Sequence, residues 1–197
     1  MFAGIVSKKS KIAGTSEKLG IKRVSIEKGS EVLSKGQSVS INGICSTVVE
    51  VTDKSFSVEY MPETLKKTTA GNLVSGEFVN FETSVKAGDP IDGHFVNGHI
   101  DCIGCIEKSK VEGESKVLSI SIPKEFHKYI AYKGSVAIEG VSLTISQVTK
   151  TGFEVSLIPY TLENTTLGEK KASDMLNIET DIIARYLERI QAAKGAK

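Results

Sequence analysis

The 197-residue chain carries 25 Lys and Arg against 24 Asp and Glu, a net charge of +1, so no overall field recruits nucleic acid or an anionic membrane. No apolar stretch approaches the roughly 20 residues needed to cross a bilayer, and Phe2 to Val6 is too short for a signal peptide and is followed, not preceded, by Lys8 and Lys9. Three cysteines, Cys45, Cys102 and Cys105, suit a reducing cytoplasm better than a disulfide framework; a cytoplasmic protein without nucleic-acid or membrane partners is expected.

Ser38 to Thr52 alternates around Val39, Ile41, Val48 and Val51, the period of a half-buried strand. A Thr52-Asp-Lys-Ser55 turn leads into a second alternating run, Phe56 to Tyr60. Short helices are expected after Pro62, over Pro123 to Ile130 and after Pro159, with proline in its favoured first-turn place. Ser135 to Thr149, the Lys150-Thr-Gly152 turn and Phe153 to Leu157 repeat the earlier strand pattern. From Ile182 to Ala193 the residues Ile183, Tyr186, Leu187 and Ile190 make one helical stripe, capped by Thr180 or Asp181. Such a short helix is marginal alone. It packs either on its own barrel or against the same helix of other subunits, with Gly195 and the last lysines fraying.

The pattern repeats because the chain contains itself twice. Ser38-Val-Ser-Ile-Asn-Gly-Ile-Cys-Ser-Thr47 returns 97 residues later as Ser135-Val-Ala-Ile-Glu-Gly-Val-Ser-Leu-Thr144. Met61-Pro-Glu-Thr-Leu-Lys-Lys-Thr-Thr69 returns as Ile158-Pro-Tyr-Thr-Leu-Glu-Asn-Thr-Thr166, and Asn80-Phe-Glu-Thr83 as Asn177-Ile-Glu-Thr180. Between Ser38 and Thr83, 18 of 46 positions are identical to their counterparts. Two long copies make two similar folded units rather than a solenoid, and β units of this size close into sandwiches or barrels because closure removes exposed edges. Duplication also gives one molecule two versions of one ligand site.

Threonines recur at matched places beside Gly43 and Gly140, namely Thr47 and Thr144, Thr64 and Thr161, Thr68-Thr69 and Thr165-Thr166. Threonine suits strands and turns, yet its recurrence also suits a polar pocket. No P-loop or dinucleotide fingerprint is present. His99, Cys102 and Cys105 have a zinc-like spacing, but on a strand Cys102 points away from the other two, and no second clustered pair completes four ligands; no metal is expected, and Cys102 and Cys105 read as small core residues. The copies also differ. Cys45 aligns with Ser142, Asn42 with Glu139, Glu63 with Tyr160 and His99 with Phe2. Chemically unequal sites suit a reaction between a donor and an acceptor molecule.

The segments Met1-Phe-Ala-Gly-Ile-Val6, Asn42-Gly-Ile-Cys-Ser-Thr-Val48, Met61-Pro-Glu-Thr64, Gly93-His-Phe-Val-Asn-Gly-His-Ile-Asp101, Gly140-Val-Ser-Leu-Thr144 and Ile158-Pro-Tyr-Thr-Leu162 together resemble the riboflavin synthase family, in order and over nearly the whole chain. The resemblance implies an all-β fold of two duplicated six-stranded Greek-key β-barrels plus a C-terminal α-helix. The units are residues 1–97 (N-terminal lumazine-binding barrel), 98–181 (C-terminal lumazine-binding barrel) and 182–197 (oligomerisation helix). It implies a transferase that dismutates two 6,7-dimethyl-8-ribityllumazine molecules to riboflavin and 5-amino-6-(D-ribitylamino)uracil, without metal or cofactor. It further implies a homotrimer whose active sites join the first barrel of one subunit to the second of its neighbour; whether lumazine synthase associates with it is left open by the sequence. A non-catalytic lumazine- or flavin-binding antenna protein on the same scaffold is the alternative.

Carried over by position, the first pocket comprises Gly4, Ile5, Val6, Cys45, Ser46, Thr47, Glu59, Tyr60, Met61, Pro62, Glu63 and Thr64. The second comprises Gly98, His99, Ile100, Lys133, Ser142, Leu143, Thr144, Leu157, Ile158, Pro159, Tyr160, Thr161 and Leu162. Ser38, Cys45, His94, His99, Ser142, Asp181 and Phe2 match positions tied to activity. Two positions depart from the family pattern, Ser46 for Leu and Asp92 for Gly, and bear on the pocket's shape. The reaction takes a proton from the lumazine C7 methyl and adds to C7 of the second molecule. His99 suits the proton transfer, Cys45 or Ser142 the addition or the placing of a water, and holding two rings face to face supplies much of the rate.

Overall fold

A computed structural model describes residues 1–195; Lys197, one of the terminal lysines expected to fray, lies outside the described residues. Strands β1 (Lys8–Lys18), β2 (Ile21–Glu27), β3 (Ser38–Ile41), β4 (Ile44–Val51), β5 (Ser55–Tyr60) and β6 (Phe78–Thr83) close a barrel in the order β1-β2-β5-β4-β3-β6. β7 (Cys102–Glu112), β8 (Ser115–Ser121), β9 (Ser135–Ile138), β10 (Val141–Val148), β11 (Gly152–Leu157) and β12 (Met175–Thr180) close a second barrel with the same neighbours, β7-β8-β11-β10-β9-β12. The expected all-β pair of six-stranded barrels is therefore present. Alternation is its cause: in β2 the side chains of Lys22, Val24 and Ile26 turn inward while their neighbours face out. Val39, Ile41, Val48, Phe56, Val58 and Phe81 fill the first interior, and Val136, Ile138, Ile145, Phe153, Val155 and Ile178 the second.

The barrels meet around a local two-fold axis at the tips of their equivalent hairpins. Asn42 and Gly43 turn β3 into β4 with φ of 47° and 82°, and Glu139 and Gly140 turn β9 into β10 with 49° and 82°, as a tight two-residue hairpin requires. A Cβ on Gly43 would stand 2.6 Å from the Gly140 nitrogen, so the two turns touch backbone to backbone. Asn80 and Asn177, fully enclosed, stitch the axis: Asn80 Nδ2 donates to the Glu139 carbonyl and Asn177 Nδ2 to the Asn42 carbonyl, both at 2.9 Å. Their Oδ1 atoms accept from the Thr166 and Thr69 amides, at 2.7 and 2.8 Å.

Helices α1 (Pro62–Lys67) and α2 (Pro159–Asn164) begin on their prolines as expected. The short helix expected over Pro123 to Ile130 is a 3₁₀ helix at Lys124–Tyr129. Helix α3 (Ile182–Gly195) starts from Asp181, whose Oδ1 accepts the Ile183 amide at 2.9 Å. Its polar side faces the chain, through Arg185 at 3.2 Å from Asp101 and the Glu188–Lys128 pair. Ile183, Tyr186, Leu187 and Ile190 are 53, 65, 56 and 52 % exposed. The stripe is thus not covered by its own barrels, which overturns that alternative.

Candidate functional site

Two crossing arms build the site. The segment before β7 leaves the second barrel and lies along the first: the Gly98 carbonyl accepts the Cys45 amide at 2.8 Å, and Ile100 packs on the first barrel's interior. The segment before β1 does the reverse, with the Gly4 carbonyl accepting the Ser142 amide at 2.8 Å and Val6 buried in the second barrel's interior. The division of site residues by halves of the chain is corrected by these bonds. Gly98, His99 and Ile100 belong with Cys45, and Gly4, Ile5 and Val6 belong with Ser142.

Each arm is anchored by a glutamate that the motif reading did not single out. The Glu82 Oε1 accepts the Ala3 and Gly4 amides at 2.8 and 3.2 Å. Glu179 accepts Asn97 N–H on Oε1 and Gly98 N–H on Oε2, both at 2.8 Å. Burial raises both carboxyls above the usual range, while these amides, and the Ile5 amide beside Glu82, pull the other way. The matched bonds also fix the alignment of the arms, Gly4 with Gly98, an offset of 94 rather than 97. His99 therefore corresponds to Ile5, not to Phe2. Phe2 corresponds to Val96, and the two pair with each other as an isolated antiparallel bridge on the axis.

Beside Cys45 a cleft of about 270 Å³ opens, lined by Cys45, Met61, Glu63, Thr64, Gly98, His99 and Ile100, with Ile44, Lys67 and Thr68 completing it. Gly98 has φ of 77°, and a Cβ there would meet the Cys45 nitrogen at 2.6 Å; that close approach sets His99 at the rim, exposed. Cys45 is a half-buried free thiol. At the equivalent place in the second barrel, the Ser142 hydroxyl lies 2.7 Å from His94 Nδ1, and the His94 amide bonds the Ala3 carbonyl at 3.2 Å. His94 Nε2 is buried without a partner. Burial lowers the imidazole's pKa, opposed by the nearby Asp181 carboxylate, so a neutral ring faces Ser142. Ile5, Ile158 and Tyr160 stand exposed around this second cluster's barrel.

Other expected residues are placed as follows. Thr47 and Thr144 are exposed on β4 and β10, Pro62 and Pro159 open α1 and α2, and Leu143 and Leu162 pack partly buried on the second core. Thr161 is 9 % exposed, its carbonyl accepting the Thr165 hydroxyl. Ser38 pairs with Thr47 across β3 and β4. Ser46, Tyr60 and Leu157, expected in the pockets, direct their side chains into the barrel interiors, at 3, 2 and 0 % exposure. Glu59 is held on the surface by Arg23 at 2.9 Å, and Lys133 lies over the Tyr132 ring at 5.3 Å rather than in the cleft. Cys102 is a core residue but Cys105 is only half-buried. Among the described residues no cluster of three or more His, Cys, Asp or Glu is placed to hold a metal ion. A larger cleft of about 570 Å³ lies between the barrels against Asn42 and Glu139; of the recurring threonines Thr69 and Thr166 line it, and none of the residues carried over by position from the family does. Desolvation raises the Glu139 carboxyl to about 7.

The family model described as lumazine binding domain matches residues 3–84 and again 97–181. Curated riboflavin synthases align end to end with the chain. That of Mycobacterium tuberculosis (strain ATCC 25618 / H37Rv) is 36 % identical, covering 99 % of this chain and 100 % of the relative. That of Escherichia coli (strain K12) is 38 % identical over 98 % and 95 %, and that of Brucella abortus (strain 2308) 38 % over 96 % and 98 %. Among solved structures, LumP complexed with 6,7-dimethyl-8-(1'-D-ribityl) lumazine shares the fold at a TM-score of 0.82 and 23 % identity, covering 91 % of this chain and 99 % of that one. LumP complexed with riboflavin does so at 0.85 over the same shares. With both barrels matched and full-length relatives above a third identical, the chain belongs to the riboflavin synthase family.

Proposed function

We propose that the chain catalyses the dismutation of two 6,7-dimethyl-8-ribityllumazine molecules to riboflavin and 5-amino-6-(D-ribitylamino)uracil, as a transferase without added cofactor. The observation that carries the reading is the reciprocal crossing of the arms, Gly98 onto Cys45 and Gly4 onto Ser142. It makes two side-chain clusters of one backbone plan and different chemistry, the first of which lines a cleft. The Cys45 pocket offers a thiol and an imidazole, from His99 at its rim; the Ser142 pocket offers a hydroxyl already bonded to neutral His94. Backbone amides, threonines and apolar walls suit a flat uncharged ring with a polyol chain.

In this reading His99 moves the C7 methyl proton, and Cys45 or Ser142 adds to C7 or places a water there. Ser38, His94, Asp181 and Phe2 support the two pockets. The uncovered stripe on α3 supports a homotrimer, with active sites formed where the Cys45 pocket of one subunit faces the Ser142 pocket of its neighbour, and Lys133 reaching a neighbouring site. Residues 1–97 and 98–181 act as the two lumazine-binding units and 182–197 as the assembly helix; the protein works in the cytoplasm.

The test is incubation of purified protein with 6,7-dimethyl-8-ribityllumazine. Riboflavin appearing with two lumazines consumed per molecule supports the reading. A second reading, a lumazine-binding protein without turnover, is favoured by the fold shared with LumP; binding without consumption would establish it and overturn the first. Identity of 36–38 % with the synthases against 23 % with LumP supports the enzyme.

A further inference from the structure

Glu82 and Glu179 hold equivalent arms in unequal ways. Glu82 uses one oxygen, Oε1, for both the Ala3 and the Gly4 amide, the Ile5 amide also acts on the carboxyl, and its buried Oε2 has no partner within hydrogen-bond geometry. Glu179, 1 % exposed, spends one oxygen on each amide, Oε1 on Asn97 and Oε2 on Gly98. The Gly98 peptide then passes the connection on, since its carbonyl accepts the Cys45 amide. A carboxylate of the second barrel thus fixes, through the single residue Gly98, the backbone of the first barrel's thiol and the origin of His99. Asp101 and Arg185 are the other charged groups that act on Glu179. Arg185 comes from α3 and is held 3.2 Å from Asp101.

We propose that Glu179 is a positioning residue for the Cys45 pocket, acting through the Asn97–Gly98 amides, and that its role needs both carboxylate oxygens. The proposal rests on the reading of that cleft as a lumazine pocket. The bidentate grip makes the role separable from bulk stability. A glutamine keeps one acceptor oxygen. At position 82 that oxygen still serves both amides, and the amide group takes the place of the unpartnered Oε2. At position 179 the amide group must turn a donor onto Asn97 N–H or Gly98 N–H, where two donors 2.8 Å apart repel and a buried amide loses its partner.

The experiment compares Glu179→Gln with Glu82→Gln in the full chain. It measures binding of 6,7-dimethyl-8-ribityllumazine by fluorescence, turnover, and thermal unfolding. Expected for Glu179→Gln are weaker lumazine binding and a turnover loss of roughly tenfold or more, with the loss exceeding that of Glu82→Gln by at least about fivefold at similar melting temperatures. Equal losses in the two variants, or normal binding and turnover in Glu179→Gln, overturn the proposal. Should Glu179→Gln fail to fold, amide hydrogen exchange in the unmodified chain decides. Asn97 and Gly98 exchanging as slowly as Cys45 supports the grip, and fast exchange there overturns it. Binding is read without turnover, so a chain that binds lumazine but makes no riboflavin sinks the enzymatic reading while the affinity comparison still tests Glu179.

Discussion

Ser46 and Tyr60 bring their hydroxyls to 3.0 Å inside the first barrel, at the two positions where the second barrel has Leu143 and Leu157. The departure of Ser46 from the family's leucine therefore leaves the pocket alone; it is matched by a tyrosine within the same interior. Burial raises the Tyr60 pKa, so the phenol stays protonated and hydrogen-bonded. Removing one partner strands the other, whereas removing both does not. Ser46→Ala is expected to cost about 1–3 kcal/mol. The double change Ser46→Leu with Tyr60→Leu should melt closer to the unmodified protein than either single change, by thermal unfolding.

Cys45→Ala and His99→Ala are each expected to slow riboflavin formation by about tenfold or more, the loss typical of a positioned acid–base or nucleophilic group. Steady-state turnover at saturating lumazine checks this. Normal rates in both would mean that the thiol and imidazole do not distinguish the pockets.

Glu139 supplies a pH dependence. Its carboxyl is raised from 4.5 to about 7 by burial, so the folded chain binds more protons than the unfolded one between those values. The stabilising contribution is present below pH 4.5 and lost as pH rises through about 7. Glu139→Gln keeps the oxygen that accepts Asn177 N–H and cannot ionise. Relative to the unmodified chain it should gain on the order of 1–3 kcal/mol at pH 8 and little at pH 4.5, read from unfolding curves at both pH values.

Removal of α3 tests assembly. Each side chain of its stripe gains roughly 1.5–3 kcal/mol on burial, and in one chain all four are more than half exposed. Deletion from Ile182 onward is expected to shift sedimentation from trimer toward monomer and to depress turnover in dilute solution. A truncated chain that sediments as a trimer with full activity would assign assembly to the barrels.

Dialysis against chelator is expected to leave turnover unchanged, since no metal-holding cluster exists among the described residues. Loss of rate restored by zinc would contradict this.

The repeat of Ser38 to Thr83 made the barrels and the Cys45–Ser142 pairing legible, because strands filled by alternating Val, Ile and Phe leave a period-two record. β1 left none: of Lys8–Lys18 only Ser10 and Ile12 are buried, and the strand runs on into solvent as a ribbon with β2. The arms were legible as motifs but misassigned to barrels. Their contacts are backbone bonds, which carry no side-chain signature, and the offset changes from 97 to 94 between strands and arm. Glu82 and Glu179 had a visible signal, the repeated Asn-x-Glu-Thr. Its asparagine proved to stitch the barrels and its glutamate to hold the arms. Exposure of the helical stripe was beyond the sequence, because periodicity tells which residues share a face and not what lies opposite.

The arm exchange has the form of a domain swap. Val6 leaves the first barrel to sit in the second's core, and Ile100 makes the return journey, which is the contact pattern of two identical protomers that trade their leading segments. Joined end to end, such a domain-swapped pair becomes one polypeptide with the symmetry retained but no longer enforced. In one tandem chain the halves need not be identical: one edge carries a cysteine and the other a serine, one arm a histidine and the other an isoleucine. A symmetric pair would have to treat both substrates alike; the tandem chain is free to assign them opposite parts.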